Sequence, residues 1–257
     1  MKRIYFLLFA FVIFNVQGQN SLSKFKLLNH LSVGVGYGLN QFSGDIDNSK
    51  NLDRAVSLQF FIPLEKKGFM LSSELNMGYL SAENNFPSTL FIENLGDPLF
   101  VDVTGERFLM EYLELDFNFL ISVKNLMNDI IYQRMGSRLK AESQKFDFMF
   151  KLGLGLNMFR SLRTELYTEK FINSYGYNWA WQNNFENAGQ KKQDRVSEGV
   201  LVLGIISRYE LAPLWSIDIA ATSRIGDTDK WDSKLNSGND IFTQYTVSVV
   251  YKLKTNF

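Results

Sequence analysis

Alternation with a period of two constrains this chain more than any other feature. The stretch HLSVGVGYGLNQF, residues 30–42, puts Leu31, Val33, Val35, Tyr37 and Leu39 on one side and Ser32, Gly34, Gly36 and Gly38 on the other. Successive side chains of a β-strand point to opposite faces, so this pattern is a strand with one oily face and one small or polar face. RAVSLQFFIPL repeats it with Val56, Leu58, Phe60, Ile62 and Leu64 on one side, and Lys66-Lys67-Gly68 turns the chain into FMLSSELNMGYL. EYLELDFNFLISV, FDFMFKLGLGLNMF, WSIDIAATSRI and the closing YTVSVVYKLKTNF follow the same rule. EGVLVLGIISRYEL is apolar on both faces but still groups Gly204, Arg208 and Glu210. Each of the eight segments runs about ten residues, the length of a tilted strand across a bilayer.

The connections sort themselves by length. Those after the first, third, fifth and seventh segments are long (42–53, 82–107, 161–195 and 226–240), and those after the second and sixth are short. A two-sheet sandwich has no reason to sort its loops this way, whereas an outer-membrane barrel has long loops outside and short turns in the periplasm. The expectation is an eight-stranded antiparallel transmembrane β-barrel with long extracellular loops. It lies in the outer membrane with both termini periplasmic and its apolar face against lipid. The last strand must then pair with the first, because an open edge in hydrocarbon strands backbone groups at several kcal/mol each. Phe257, in phase with Tyr251 and Leu253, resembles the signal by which barrel-assembly machinery recognises its clients. Aromatics near strand ends are expected at the two interfaces: Phe42, Phe69, Tyr79, Phe108, Tyr112, Phe146, Tyr209, Trp215, Phe242 and Tyr245.

The first nineteen residues, MKRIYFLLFAFVIFNVQGQ, have a basic start, a short apolar run and small residues at a cleavage position. They read as a signal peptide over 1–18, leaving a barrel over 19–257. The absence of cysteine removes disulfides and thiolate metal sites. A net charge of zero gives no basic face for nucleic acid.

The inward faces carry Glu74, Glu114, Asp116, Lys151, Arg208, Asp218 and Arg224. Isolated charges in a dry lumen are costly, so these must pair. They read as a polar core that holds the strands in register, or as an ion path. Eight strands enclose a space just wide enough for side chains, so no open channel is expected. No catalytic set stands out: the single histidine, His30, falls at the periplasmic end of the first strand, away from the outer rim where a lipid-modifying enzyme would work. The aspartates of SGDIDNS and GDTDKWDS lack calcium-loop spacing, and VGVGYG has no following helix to make a phosphate loop. No enzyme activity, metal or cofactor is expected.

Two segments read as partner surfaces or as local packing. Residues 124–144, KNLMNDIIYQRMGSRLKAESQ, are long for a periplasmic turn. They place Ile130, Ile131 and Met135 at helical spacing, suited to docking a partner or lidding the barrel mouth. The loop 161–195 carries Tyr175, Tyr177, Trp179 and Trp181.

VGVGYGLNQFSGDID, ERFLMEYLELDFNFL, KLGLGLNMFR and GDTDKWDS followed by YTVSVVYKL occur in the order found in a family of small outer-membrane barrels that the chain resembles. That family includes PorG of the type IX secretion system. The resemblance implies a non-enzymatic eight-stranded barrel and, for the named member, association with a periplasmic ring of PorK and PorN. It carries over no functional residues. The expected role is an outer-membrane anchor or accessory subunit of a secretion complex, acting by binding. The alternatives are a narrow pore or transporter for a solute, and an outer-membrane hydrolase or acyltransferase.

Overall fold

Strand β1 (Ser32–Ser43) is hydrogen-bonded on both sides, to β2 (Asp53–Pro63) and to β11 (Ile241–Lys252), and that double pairing closes the sheet. The computed structural model describes residues 31–44, 46, 51–64, 68–85, 88–92, 99–103, 105–124, 145–178, 189–227, 230–233 and 240–253. The ring continues through β3 (Phe69–Asn84), β6 (Glu106–Ser122), β7 (Phe146–Glu165), β9 (Val196–Ala212) and β10 (Trp215–Gly226). All eight neighbouring pairs are antiparallel, so this is a closed eight-stranded barrel. A hairpin of β4 (Ser88–Ile92) and β5 (Leu99–Val103) stands in the β3–β6 connection. The short strand β8 (Phe171–Tyr175) extends the sheet beside the C-terminal end of β7.

The seam is long. Its register runs from Ser32 opposite Lys252 to Ser43 opposite Ile241, and Leu253 N–H donates to the Leu31 carbonyl at 2.8 Å beyond it. Residues 254–257, with Phe257, lie outside the described residues, as does the segment 1–30.

Alternation places the side chains inside-out relative to a soluble domain. Val35, Tyr37, Leu58, Leu71, Met77, Phe117, Phe148, Leu152, Ile219 and Val247 are exposed on the outer wall. Ser57, Glu74, Asn76, Asp116, Thr222 and Ser248 are buried inside. An apolar exterior on a closed sheet whose interior is polar is what hydrocarbon demands of a spanning strand structure. The chain folds as a transmembrane β-barrel.

The structure differs from the sequence reading at two places. First, Phe42, Phe108, Tyr112 and Phe242 are buried, not at the lipid interface. They share the inward phase of their strands and pack as an aromatic layer inside the end of the barrel away from the short turns. Phe42 and Phe108 meet edge-on at 4.6 Å, and Tyr112 and Phe242 lie at 5.3 Å. Trp231, fully buried from the β10–β11 connection, closes on Phe242 at 5.3 Å. Tyr79, Phe146, Tyr209, Trp215 and Tyr245 are exposed on the outer wall, and Phe69 is half-buried.

Second, the strands outrun the expected bounds at the end with the long connections. β3 reaches Asn84, β6 starts at Glu106 and β7 ends at Glu165, with Asn84, Glu106 and Glu165 aligned across the three strands. Parts of the expected loops 82–107 and 161–195 are therefore sheet. The ladder continues there because β6 lies between β3 and β7, and β7 between β6 and β8, whatever the local alternation.

Short turns close the other end. Ala212 pairs with Trp215 across the two residues Pro213 and Leu214. Leu64 N–H donates to Phe69 O at 2.9 Å around Gly68, whose φ of 93° favours glycine. The side chain of Asp147 accepts from the Ser122 hydroxyl at 2.7 Å and from the Lys124 N–H at 3.2 Å, which fixes where the chain leaves β6. Residues 125–144, with Ile130, Ile131 and Met135, lie outside the described residues.

Candidate functional site

The lumen is stacked in layers, and its central charge network sits between two apolar ones. At the end near the short turns, Phe61, Leu120, Met149, Ile206 and Val250 are all buried and in contact. They come from β2, β6, β7, β9 and β11, so residues from around the ring meet at the axis. At the other end the aromatic layer is joined by Leu80, Met110, Phe159, Val200 and Val202.

All seven inward charges foreseen in the sequence are buried. The structure brings five of them together across the barrel. Lys151 Nζ lies 2.7 Å from Glu74 Oε1 and donates to Thr222 Oγ1 at 3.3 Å. Arg224 pairs directly with Glu114, and its Nη2 donates to Asp116 Oδ2 at 3.2 Å. Asn76 Nδ2 donates to the same Asp116 oxygen at 3.1 Å, and Asn40 Nδ2 donates to the Tyr112 hydroxyl at 2.9 Å just above. Arg224 also lies over the Phe242 ring at 5.2 Å, which ties the charged layer to the aromatic one.

Arg208 and Asp218 stand apart as a two-pronged pair, with bonds of 2.8 and 2.7 Å, and Arg208 covers the Phe61 ring at 4.6 Å. A planar guanidinium matching both carboxylate oxygens is the geometry that best offsets burial of the two charges. Glu210, on the same face as Arg208, reaches the rim and pairs with Lys252 at 3.2 Å.

Close packing leaves the strands little slack. A Cβ built on Gly153 would lie 2.5 Å from the Phe117 carbonyl oxygen, with the Asn118 side chain nearer still. Glycine is the residue that lets β7 approach β6 there.

Sequence reasoning missed a further buried pair, Arg163 with Glu106, above the aromatic layer. The signal was present: both residues continue the inward phase of β7 and β6. Their strands were expected to stop at Phe159 and to begin at Glu111, so they fell in loops. Ser161 and Ser233 hydroxyls meet at 2.6 Å, and Trp231 N–H donates to Asp240 at 2.7 Å. These bonds pin the β10–β11 connection into the barrel mouth. Among the described residues, no group of His, Cys, Asp or Glu side chains is arranged to hold a metal ion. His30, Asp45, Asp47 and Asp229 lie outside the described residues.

No protein-family model matches the chain, and no curated protein matches it. Solved structures do. The attachment invasion locus protein Ail of Yersinia pestis aligns with a TM-score of 0.43 at 10% identity, covering 88% of this chain and 99% of Ail. Neisserial surface protein A aligns at 0.43 and 8% identity, over 87% of this chain and 97% of that one. The outer membrane enzyme PagL aligns at 0.30 and 9%, over 86% and 99%. Likeness this distant carries no role across, and the barrel rests on its own hydrogen-bond ladder.

Proposed function

We propose that the chain is an outer-membrane barrel that acts by binding, as an anchor or accessory subunit of a protein secretion complex of the type IX kind. The observation that carries this reading is the filled lumen. Paired charges occupy its middle and an apolar cluster lies towards each end, an arrangement that favours binding over conduction. A barrel of this kind would work through its surfaces. The resemblance to the PorG-containing family supports the choice of complex. In this reading residues 1–18 are a signal peptide, both termini face the periplasm, and the 124–144 segment meets a ring of the PorK and PorN kind.

The reading predicts the outcome of a pull-down. Replacing Ile130, Ile131 and Met135 together with Asp should leave the barrel inserted and abolish recovery of the periplasmic subunits. Crosslinking in intact cells followed by mass spectrometry would identify those subunits. Undiminished recovery with the triple variant would refute the role given to the segment, and steps of ion conductance in planar bilayers would favour a pore instead.

A further inference from the structure

Outside the lumen, one carboxylate on the outer wall holds three cations. Glu111 Oε1 accepts from Arg160 Nη1 at 2.6 Å and lies 3.8 Å from Arg195 Nη2, while its Oε2 accepts from Lys192 Nζ at 2.6 Å. We propose that Arg160, Lys192 and Arg195 form a site for the phosphate of an outer-leaflet lipid headgroup. This rests on the membrane reading above and adds a ligand to it.

The height of the cluster is the first reason. Glu111 on β6 and Arg160 on β7 are direct cross-strand partners, and Tyr79 on β3 is the other partner of Glu111. Two residues nearer the membrane centre on the same face lie Leu113 and Met158, and two residues farther out lie Leu109 and Leu162, the last apolar pair before Arg107 and Thr164. Tyr79 is half exposed, as an interfacial aromatic is. The cluster therefore interrupts the apolar wall one residue pair short of its edge, near the level at which headgroups lie. It faces sideways into that layer rather than up into the medium, because residues 111 and 160 are on the outer face of their strands.

The second reason is charge. Three cations converge on a single carboxylate, so two positive charges remain to attract an anion. Lys191 and Asp194, both exposed in the same connection, are of opposite sign and do not change that balance. The hydrogen bond to Glu111 raises the pKa of Lys192, which keeps its ammonium charged.

The third reason is order. Arg160 Nε donates to the Gln193 carbonyl at 2.7 Å, and Arg195 Nη1 donates to the Met158 carbonyl at 3.3 Å. The bridge between Tyr177 and Lys192 holds the descending chain in place. Two fixed guanidinium groups and an ammonium around one point suit the oxygens of a phosphate, which accepts several charged hydrogen bonds at once. Basic clusters beside a membrane-spanning surface bind lipid headgroups by this means.

The full chain, purified in detergent, would be mixed with phosphatidic acid or with diacylglycerol of the same acyl chains, and retained lipid read by native mass spectrometry. Phosphatidic acid should be retained about tenfold over diacylglycerol. The combined substitution Arg160→Gln, Lys192→Gln and Arg195→Gln should remove that preference. Lys192→Glu alone, on an exposed loop residue that leaves the β6–β7 ladder untouched, should lower it several-fold. Excess inorganic phosphate should not displace the lipid. Equal retention of the two lipids, or a preference that survives in either variant, would overturn the assignment. Displacement by inorganic phosphate would make the site one for a soluble anion and overturn it too. Flotation of the wild-type chain with vesicles reads the membrane claim separately: a chain that fails to float sinks both readings, and one that floats without lipid preference sinks only this one.

Discussion

Arg224→Met will destabilise the folded barrel by about 3–5 kcal/mol, the cost of removing one partner from a buried ion network. Arg224 is fully buried, and it is the cation that Glu114 and Asp116 both face. Methionine fills much of the arginine volume, so the loss is of charge rather than of packing. The two carboxylates, also fully buried, are then left against each other with Lys151 engaged by Glu74. Urea unfolding in micelles, followed by tryptophan fluorescence, measures the change. The triple variant Arg224→Met, Glu114→Gln, Asp116→Asn should recover most of the loss, because a neutral core of similar volume is often as stable as an ion network. Were the lumen instead a water-filled channel, the pair would behave as an exposed one and the single substitution would cost under about 1 kcal/mol.

The second large effect separates a membrane wall from a water-facing one. Leu152 is 54% exposed at the middle of the outward run Phe146–Met158 on β7, between Phe119 of β6 and Leu203 of β9. Leu152→Arg will cost about 2–4 kcal/mol in a bilayer, the penalty for a cation at the midplane of a barrel's lipid face. On a soluble barrel the same exposed position would change stability by about 0.5 kcal/mol or less. Folding yield into phosphatidylcholine vesicles as a function of urea reports the difference. A control at the interface, Tyr79→Arg, should cost about 0–1 kcal/mol, since the penalty falls towards the headgroups.

The faces of this barrel were legible from the chain, and their partners were not. Alternation alone puts Glu114, Asp116 and Arg224 inside. That Arg224 meets the other two, rather than Glu74, follows from strand tilt and register, which no local pattern encodes. The aromatic layer is a different kind of error. Phe42 is in phase with Gly34 and Gly36, and Phe242 with Thr246 and Ser248, so the pattern already assigns them to the interior. The interfacial reading followed residue type and position along the strand instead, and phase is the stronger constraint because a side chain cannot change faces without a bulge. The outer extensions of β6 and β7 were hidden for a third reason. Glu106, Arg107, Arg160 and Arg163 put charge on both faces, so alternation fades although the backbone ladder persists. Those extensions carry the buried Arg163–Glu106 pair and the Glu111 cluster, both of which a reading by apolar periodicity alone passes over.

The most direct test of the closed sheet uses the absence of cysteine from the chain. Val35 of β1 and Val249 of β11 are direct partners on the outer wall, far apart in sequence and adjacent only if the seam is formed. The double variant Val35→Cys, Val249→Cys should oxidise to an internal disulfide in membranes, as should the hairpin control Leu58→Cys, Leu75→Cys across β2 and β3. The pair Val35→Cys, Leu115→Cys, on strands that are not neighbours, should stay reduced. Oxidation of the hairpin control without the seam pair would mean that the first and last strands do not meet, and would contradict the barrel.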